Sequence, residues 1–319
     1  MFVIRALDVN DAYMQGYKLL DEVGVREPSR AGEVLRSPEP VATRYAMPLQ
    51  RVLFDSSRDA NPFFHLFESL WILAGRQDVA FLTQFNKRMS EFSDDGRTFY
   101  GAYGARLRGA FDNDSLHVAI DKLKKEPNSR RVYCGIWDPT YDLETESKDI
   151  PCNLGIKFEI QRGALQAIVY NRSNDMIWGA YGANIVQFSM IQEYVAANLG
   201  VPVGALTQVS GNFHAYTAVY EKHRPYTRPL NPYQTGDAAP FPLIDTPDLW
   251  DEDLQIFLED PASFAIRNIW FHRVGRPMWF AWDAWKRKDF QMAYAILGNC
   301  AATDWRNAAT QWLGRREPV

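Results

Sequence analysis

The chain has 319 residues, 46% of them apolar and 23% charged, with a net charge of −4. A chain this long can bury a core without disulfides or metal, and its composition excludes general disorder, a collagen-like fibre and a disulfide-dense miniprotein. The negative balance gives no global field for duplex nucleic acid or an anionic membrane, so direct DNA binding is not expected and an anionic ligand needs a local arginine cluster. Three cysteines, Cys134, Cys152 and Cys300, are sparse and odd in number, which suits a reducing compartment. The opening MFVIRALDVNDAY lacks the apolar run of a signal peptide, and no stretch approaches the length of a membrane span. The expectation is a cytoplasmic protein.

In chain order, Tyr13, Met14, Tyr17 and Leu20 share one face of a helix over 11–22, with Asp11 as its cap. Residues 25–45, with Pro28, Gly32, Pro38, Pro40 and several arginines, read as an ordered loop. Pro62 opens and Gly75 stops a buried helix over 62–74. Helices are expected at 78–90 and 115–125. Short β-rich runs follow at 131–137, 154–160 and 165–171. A long helix spans 184–199 and ends at Gly200. Residues 203–213 read as a strand, 224–247 as a Pro-rich irregular excursion, and 281–298 and 303–313 as helices. Strands grouped in the middle among helices indicate an α+β fold, and no linker divides the chain, so residues 1–319 form one domain.

No Walker A loop, no GxGxxG opening a helix, no HExxH and no paired CxxC occurs, so metal, NAD and ATP have no support in the sequence. Cys152 follows Pro151 and precedes a strand; a lone cysteine is most often an inert core residue, and a nucleophilic one needs a nearby cation. Arg130 and Arg131 enter one strand and Arg172-Ser173 follows another. Such arginines mostly face solvent, yet at a strand end they can grip a phosphate by their fork. Glu68 lies among Phe63, Phe64, Phe67, Leu70 and Trp71. It either points to solvent or is a buried acid–base group with a tuned pKa. The glycine-rich connection RSNDMIWGAYGAN, carrying Asp175, Gly179 and Asn184, suits a small ligand. His214 and Tyr216 alternate on a strand and share one side.

The order of these motifs is more specific than any one of them. Glu68 in FESLWILAG, YGARLR at 103–108, Arg130-Arg131, Pro151-Cys152, RSND with Gly179 and Asn184, and HAY at 214–216 resemble the thymidylate synthase superfamily over about 11–225. The closest likeness within it is to the phage-type pyrimidine-nucleotide hydroxymethylases. The resemblance implies a mixed sheet flanked by helices, with a divergent helical tail over 226–319. It implies a homodimer, a pyrimidine nucleoside monophosphate as substrate, 5,10-methylenetetrahydrofolate as cosubstrate, and no metal. Cys152 matches the nucleophile that adds to C6 of the base. Arg172 and Ser173 match phosphate contacts, Arg130 and Arg131 the pair that reaches the partner's phosphate, and Arg30 the loop arginine that closes over it. Glu68 matches the proton-managing glutamate and Tyr103 the tyrosine near C5. Asp175 matches the folate-contacting aspartate, Gly179 a substrate-binding glycine of the same motif, Asn184 the base-reading asparagine, and His214 and Tyr216 the sugar-hydroxyl pair. Asn153 stands where synthases commonly have histidine, and is a candidate for base reading or water placement.

Several departures bear on the reaction. No tryptophan occurs between Trp71 and Trp137, where synthases pack one on the folate, and the turn WGAYGAN is one residue longer than the family's. The family's C-terminal closing segment is not recognisable either. These changes favour water over hydride as the group that completes the product. The expected activity is therefore hydroxymethylation of dUMP, in the host cytoplasm if the gene is a phage's. Cytidylate (dCMP or CMP) hydroxymethylation, methylation by a synthase, and a non-catalytic nucleotide-binding protein are the alternatives. A separate role, an assembly surface for a partner enzyme, is open to the tail.

Overall fold

The computed structural model describes residues 1–225 and 230–318. Strand β1 (Phe2–Ala6) leads into helix α1 (Val9–Val23). The cap of α1 is Asp8, which accepts the Asn10 and Asp11 amides, and not Asp11 as the sequence suggested. The segment expected to be a loop is three strands, β2 (Val25–Ser29), β3 (Gly32–Arg36) and β4 (Val41–Tyr45). The hairpin β2–β3 is largely exposed, so it shows no burial alternation to read in advance. Helix α2 (Pro62–Leu73) is buried along its whole length behind an Asn61 cap. The helix expected at 78–90 is only α3 (Val79–Thr83) followed by a separate 3-10 segment, Lys87–Phe92. Next come α4 (Tyr103–Arg108), α5 (Ser115–Lys125), β5 (Tyr133–Gly135), β6 (Asn153–Gln161), β7 (Ala164–Asn171) and the short β8 (Asn174–Asp175).

A π-helical segment, Met176–Ala183, runs directly into α6 (Asn184–Leu199), which ends at left-handed Gly200 as expected. The strand expected over 203–213 is two, β9 (Val203–Ser210) and β10 (Phe213–Tyr216), followed by α7 (Thr217–Lys222). The excursion over 224–247 is irregular apart from α8 (Pro232–Thr235); its residues 226–229 lie outside the described residues. The rest of the tail is helical: α9 (Pro247–Glu259), α10 (Arg276–Lys286), α11 (Phe290–Leu297) and α12 (Thr303–Gly314). The single helix expected over 281–298 breaks at Lys288, whose φ is 64°.

The strands form two sheets, one in the order β1-β4-β9-β7-β6-β5 and one in the order β2-β3-β10-β8. In the large sheet β1 with β4 and β7 with β9 are parallel, and the remaining pairs are antiparallel. This is the expected mixed α+β architecture. Ile156, Phe158, Leu165, Ala167, Val169 and Leu206 point from the sheet into the helical core. The opposite face carries Tyr133, Lys157, Ile168, Thr207 and Arg44 in register across five strands, and all five are half-buried or exposed.

The tail is built onto α2. Trp282 and Trp312 pack on Phe63 at 5.3 and 5.6 Å between ring centres, and Trp279 meets Phe67 edge-on at 5.2 Å. Arg315 and Arg316 close the arrangement on Asp59 at 2.9 and 2.7 Å. The apolar faces of α10 and α12 are spent on the core. Among the described residues no helix is long and apolar enough to cross a membrane.

Candidate active site

Two elements bring the carboxylate and amide groups together. Helix α2 carries Glu68, which is buried. Helix α6 crosses it and presents Asn184 and, one turn on, Gln187 on the same face. Gln187 Nε2 donates to Glu68 Oε2 at 2.8 Å. Burial raises the Glu68 pKa to about 7, with the Asp149 charge pushing the same way and the Gln187 hydrogen bond opposing. A carboxyl group poised there can give or take a proton near neutrality. Glu68, Tyr103, Asp149, Asn184 and Gln187 line one cavity of about 140 Å³, whose apolar wall includes Trp71, Phe92 and Phe99. A wider cleft of about 710 Å³, lined by Tyr100, Arg106, Phe111 and Tyr141, contains none of these groups.

Cys152 is half-buried in the bend before β6. Its sulfur lies 3.9 Å from an Arg172 Nη2. Arg172 is held by donation to the Pro151 and Ile150 carbonyls at 2.9 and 3.1 Å, and its own amide donates to the Cys152 carbonyl at 3.0 Å. Burial raises the thiol pKa, Arg172 and Arg30 pull it down, and Asp149 and Asp175 push it up. Arg172 thus supplies the nearby cation that a nucleophilic cysteine needs, while burial is the larger effect. Tyr103, at the start of α4, lies against the Cys152 backbone and the Asn153 amide, and burial holds its phenol well above the ordinary value.

The second sheet assembles the other flank. β10 pairs with β8 so that His214 stands beside Asp175, and with β3 so that Tyr216 stands beside Val34. The β2–β3 turn therefore carries Arg30 on the same small sheet as His214 and Tyr216, whose rings meet edge-on at 5.7 Å. Asp175 Oδ1 accepts the amides of Ile177 and Trp178 at 2.8 and 2.5 Å. Its Oδ2 is buried without a partner among the described residues, which leaves an acceptor for a ligand N–H. Burial raises the Asp175 pKa and lowers that of His214.

The extra residue of WGAYGAN is absorbed as a π turn. The Asn184 amide donates to the Gly179 carbonyl, five residues back, so Asn184 still opens α6. Its side-chain Nδ2 donates to Asn174 Oδ1 at 3.1 Å, and Asn174 is fixed by Gln208 and Ser210 at 3.2 and 3.0 Å. Gly179 is required here, because a Cβ would lie 2.7 Å from Asn174 Oδ1.

A family model described as thymidylate synthase matches residues 12–232. The chain belongs to the thymidylate synthase family. A protein of Pseudomonas phage M6 named deoxyuridylate hydroxymethyltransferase is 46% identical, over 99% of this chain and 95% of that protein. One of Bacillus phage SP01 with the same name is 42% identical, over 59% of this chain and 52% of its own length. A putative thymidylate synthase of Methanosarcina acetivorans is 28% identical, over 67% of this chain and 89% of that protein. The tail beyond residue 232 lies outside the family model but within the alignment to the phage M6 protein.

Within this thymidylate synthase fold, Glu68, Tyr103 and Asn184 share one cavity, Cys152 and Asn153 adjoin Tyr103, Arg172 adjoins Cys152, and Asp175, Gly179, His214 and Tyr216 form the flank. Ser173 is half-buried beside Arg172. Arg30, Arg130 and Arg131 are exposed, with no hydrogen bond or ion pair to any described residue. Three contributors escaped the sequence reading. Asp149 Oδ2 accepts the Gly101 amide at 2.9 Å beside Glu68. Gln187 was marked by its i+3 spacing from Asn184. Trp178 is 42% exposed, with the buried Arg58 guanidinium 4.0 Å from its ring and His223 edge-on at 5.5 Å. Its place three residues after Asp175 was the available signal. Among the described residues no group of three or more His, Cys, Asp and Glu is placed to hold a metal ion.

Proposed function

We propose that this chain is a deoxyuridylate hydroxymethyltransferase, which moves a one-carbon unit from 5,10-methylenetetrahydrofolate to C5 of dUMP and completes it with water to give 5-hydroxymethyl-dUMP. The observation that carries this reading is the Cys152 thiol, 3.9 Å from Arg172, with Tyr103 alongside and Glu68 and Asn184 in the adjoining cavity. The near-full-length likeness to the phage M6 protein of that name supports it, tail included.

Cys152 adds to C6 of the base and makes C5 nucleophilic toward the one-carbon unit. Tyr103 stands where the C5 proton leaves, and Glu68 moves protons around the base. Arg172, Ser173 and Arg30 hold the phosphate, together with Arg130 and Arg131 of a second copy. His214 and Tyr216 hold the sugar hydroxyl. Uracil is favoured over cytosine by Asn184. Because its NH2 end faces Asn174 Oδ1, its own Oδ1 is free to accept the uracil N3–H. Cytosine N3 is itself an acceptor and would oppose that oxygen. The folate finds the unpartnered Asp175 Oδ2 for its N–H groups, with Gly179 nearby. The face of Trp178 not covered by Arg58 serves as an aromatic platform, in place of the tryptophan missing between Trp71 and Trp137. The homodimer is supported by the uncovered sheet face around Tyr133, Lys157, Ile168 and Thr207.

Incubation with 5-fluoro-dUMP and methylenetetrahydrofolate tests the chemistry. The expected result is a covalent adduct on the Cys152 peptide, absent in Cys152→Ala and needing about tenfold more folate in Trp178→Ala, the equivalent of one lost stacking contact. Reversible binding without an adduct would make the chain a nucleotide binder instead.

A further inference from the structure

Asn153 is fully buried; the Tyr103 phenol oxygen lies beside its amide, where only Nδ2 could donate to it, and Oδ1 has no hydrogen-bond partner among the described residues. A buried amide oxygen left open is costly unless something arrives to pair with it. Strand geometry shows that its aim is built in. Along β6, Ile156 and Phe158 point into the core, and Lys157 and Glu159 point to the other face. Simple alternation would put Asn153 with Lys157, on the outer face. The register shift between Asn153 and Gly155 is a β-bulge that turns it inward. Gly155 permits the bulge: a Cβ there would lie 2.6 Å from the Cys134 carbonyl oxygen. The inward amide sits next to the nucleophile in sequence and against the Tyr103 hydroxyl in space.

We infer that Asn153 positions the water molecule that completes the product, its Oδ1 accepting one O–H so that an oxygen lone pair faces the reacting carbon. This rests on the hydroxymethylase reading. Once tetrahydrofolate has left, the nucleotide is bound to Cys152 at C6 and carries a methylene group doubly bonded to C5. The water oxygen forms a bond to that methylene carbon, and the C=C electron pair moves through C5 and C4 onto O4 as an enolate. The water's second proton passes to a site base, for which Glu68 is poised near neutrality. Collapse of the enolate restores the C5=C6 bond and expels the Cys152 thiolate. No oxidant or reductant takes part. Asn153 is a positioning residue, acting only through the water that it holds.

The test uses the full chain with dUMP tritiated at C5, methylenetetrahydrofolate and a small thiol such as 2-mercaptoethanol, which can capture the methylene in place of water. In Asn153→Ala, tritium release in a single turnover is expected to stay within about threefold of the parent, 5-hydroxymethyl-dUMP to fall about tenfold or more, and the thioether to become the main product. Asn153→Asp keeps an oxygen acceptor at the same place and is expected to recover the hydroxymethyl product over the thioether. It also carries the test if the alanine variant does not fold, and trapping by 5-fluoro-dUMP reports that the nucleotide site is intact. Tritium release and product falling by the same factor, or an unchanged product ratio, would overturn the assignment. Failure of the underlying reading looks different: the parent chain itself would form no CH2O adduct of dUMP.

Discussion

The single residue with the sharpest energetic signature is Glu68. Its folded-state pKa of about 7 lies above the ordinary 4.5 because burial disfavours the charged form. The folded protein therefore holds this proton more tightly than the unfolded chain. The stabilising contribution is complete below the ordinary value and is lost as pH rises through about 7. Over that window the loss is about 3 kcal/mol. Glu68→Gln keeps the shape and an acceptor for Gln187 but cannot ionise. It is expected to be more stable than the parent by about that amount at pH 8 and nearly equal near pH 4.5, while losing turnover. Denaturant melts at the two pH values check this, and equal stability at pH 8 would mean Glu68 is not held as a buried acid. The sequence marked Glu68 as a carboxylate in an apolar helix but could not choose between solvent and core. The choice is made by α6, whose Gln187 lies far away in the chain.

Elements position the site through close backbone contacts. Gly104, in the first turn of α4, sits so near α2 that a Cβ would lie 2.2 Å from the Ile72 carbonyl oxygen and 2.7 Å from the Ile72 Cα. Gly104→Ala must push α4 off α2 and carry Tyr103 away from Cys152 and Asn153. The expected cost is about 1–3 kcal/mol of stability and about tenfold to a hundredfold in kcat, read by melts and single-turnover rates. At this scale the sequence was legible where one element buries one face. The helices over 62–74 and 184–199 carry their own caps and stops, Asn61, Pro62 and Gly200 among them. It was not legible where pairing partners decide. β2 and β3 are exposed strands held by β10, whose residues follow nearly two hundred positions later, so their prolines and charges read as a loop. The π turn before Asn184 was visible only as one surplus residue. Its consequence, that the asparagine stays at the head of α6, follows from the Gly179 hydrogen bond. Asn153 was visible as a departure, but the bulge that turns it inward depends on how β6 pairs with β7.

At the scale of the whole molecule, the large sheet offers one face to the core and leaves the other, around Ile168 and Tyr170, half-covered. Arg130 and Arg131 are exposed at the entry to β5, next to that face, and have no partner among the described residues. Mixing Cys152→Ala with an Arg130→Ala/Arg131→Ala double variant is therefore expected to restore activity. Each mixed dimer regains one intact site, about a quarter of parental activity for random pairing of subunits. No recovery after subunit exchange would place the arginines in their own chain's site. The tail shows the same dependence on the whole. Its family likeness was unreadable, yet its tryptophans complete the packing of the helix that holds Glu68. Hydroxymethylation of dUMP is tested most directly by the mass of the product formed from methylenetetrahydrofolate with dUMP, dCMP and CMP in separate reactions. The expected result is a gain of CH2O on dUMP alone, with release of tetrahydrofolate. A gain of CH2 with dihydrofolate, or turnover of a cytidylate in preference to dUMP, would contradict it.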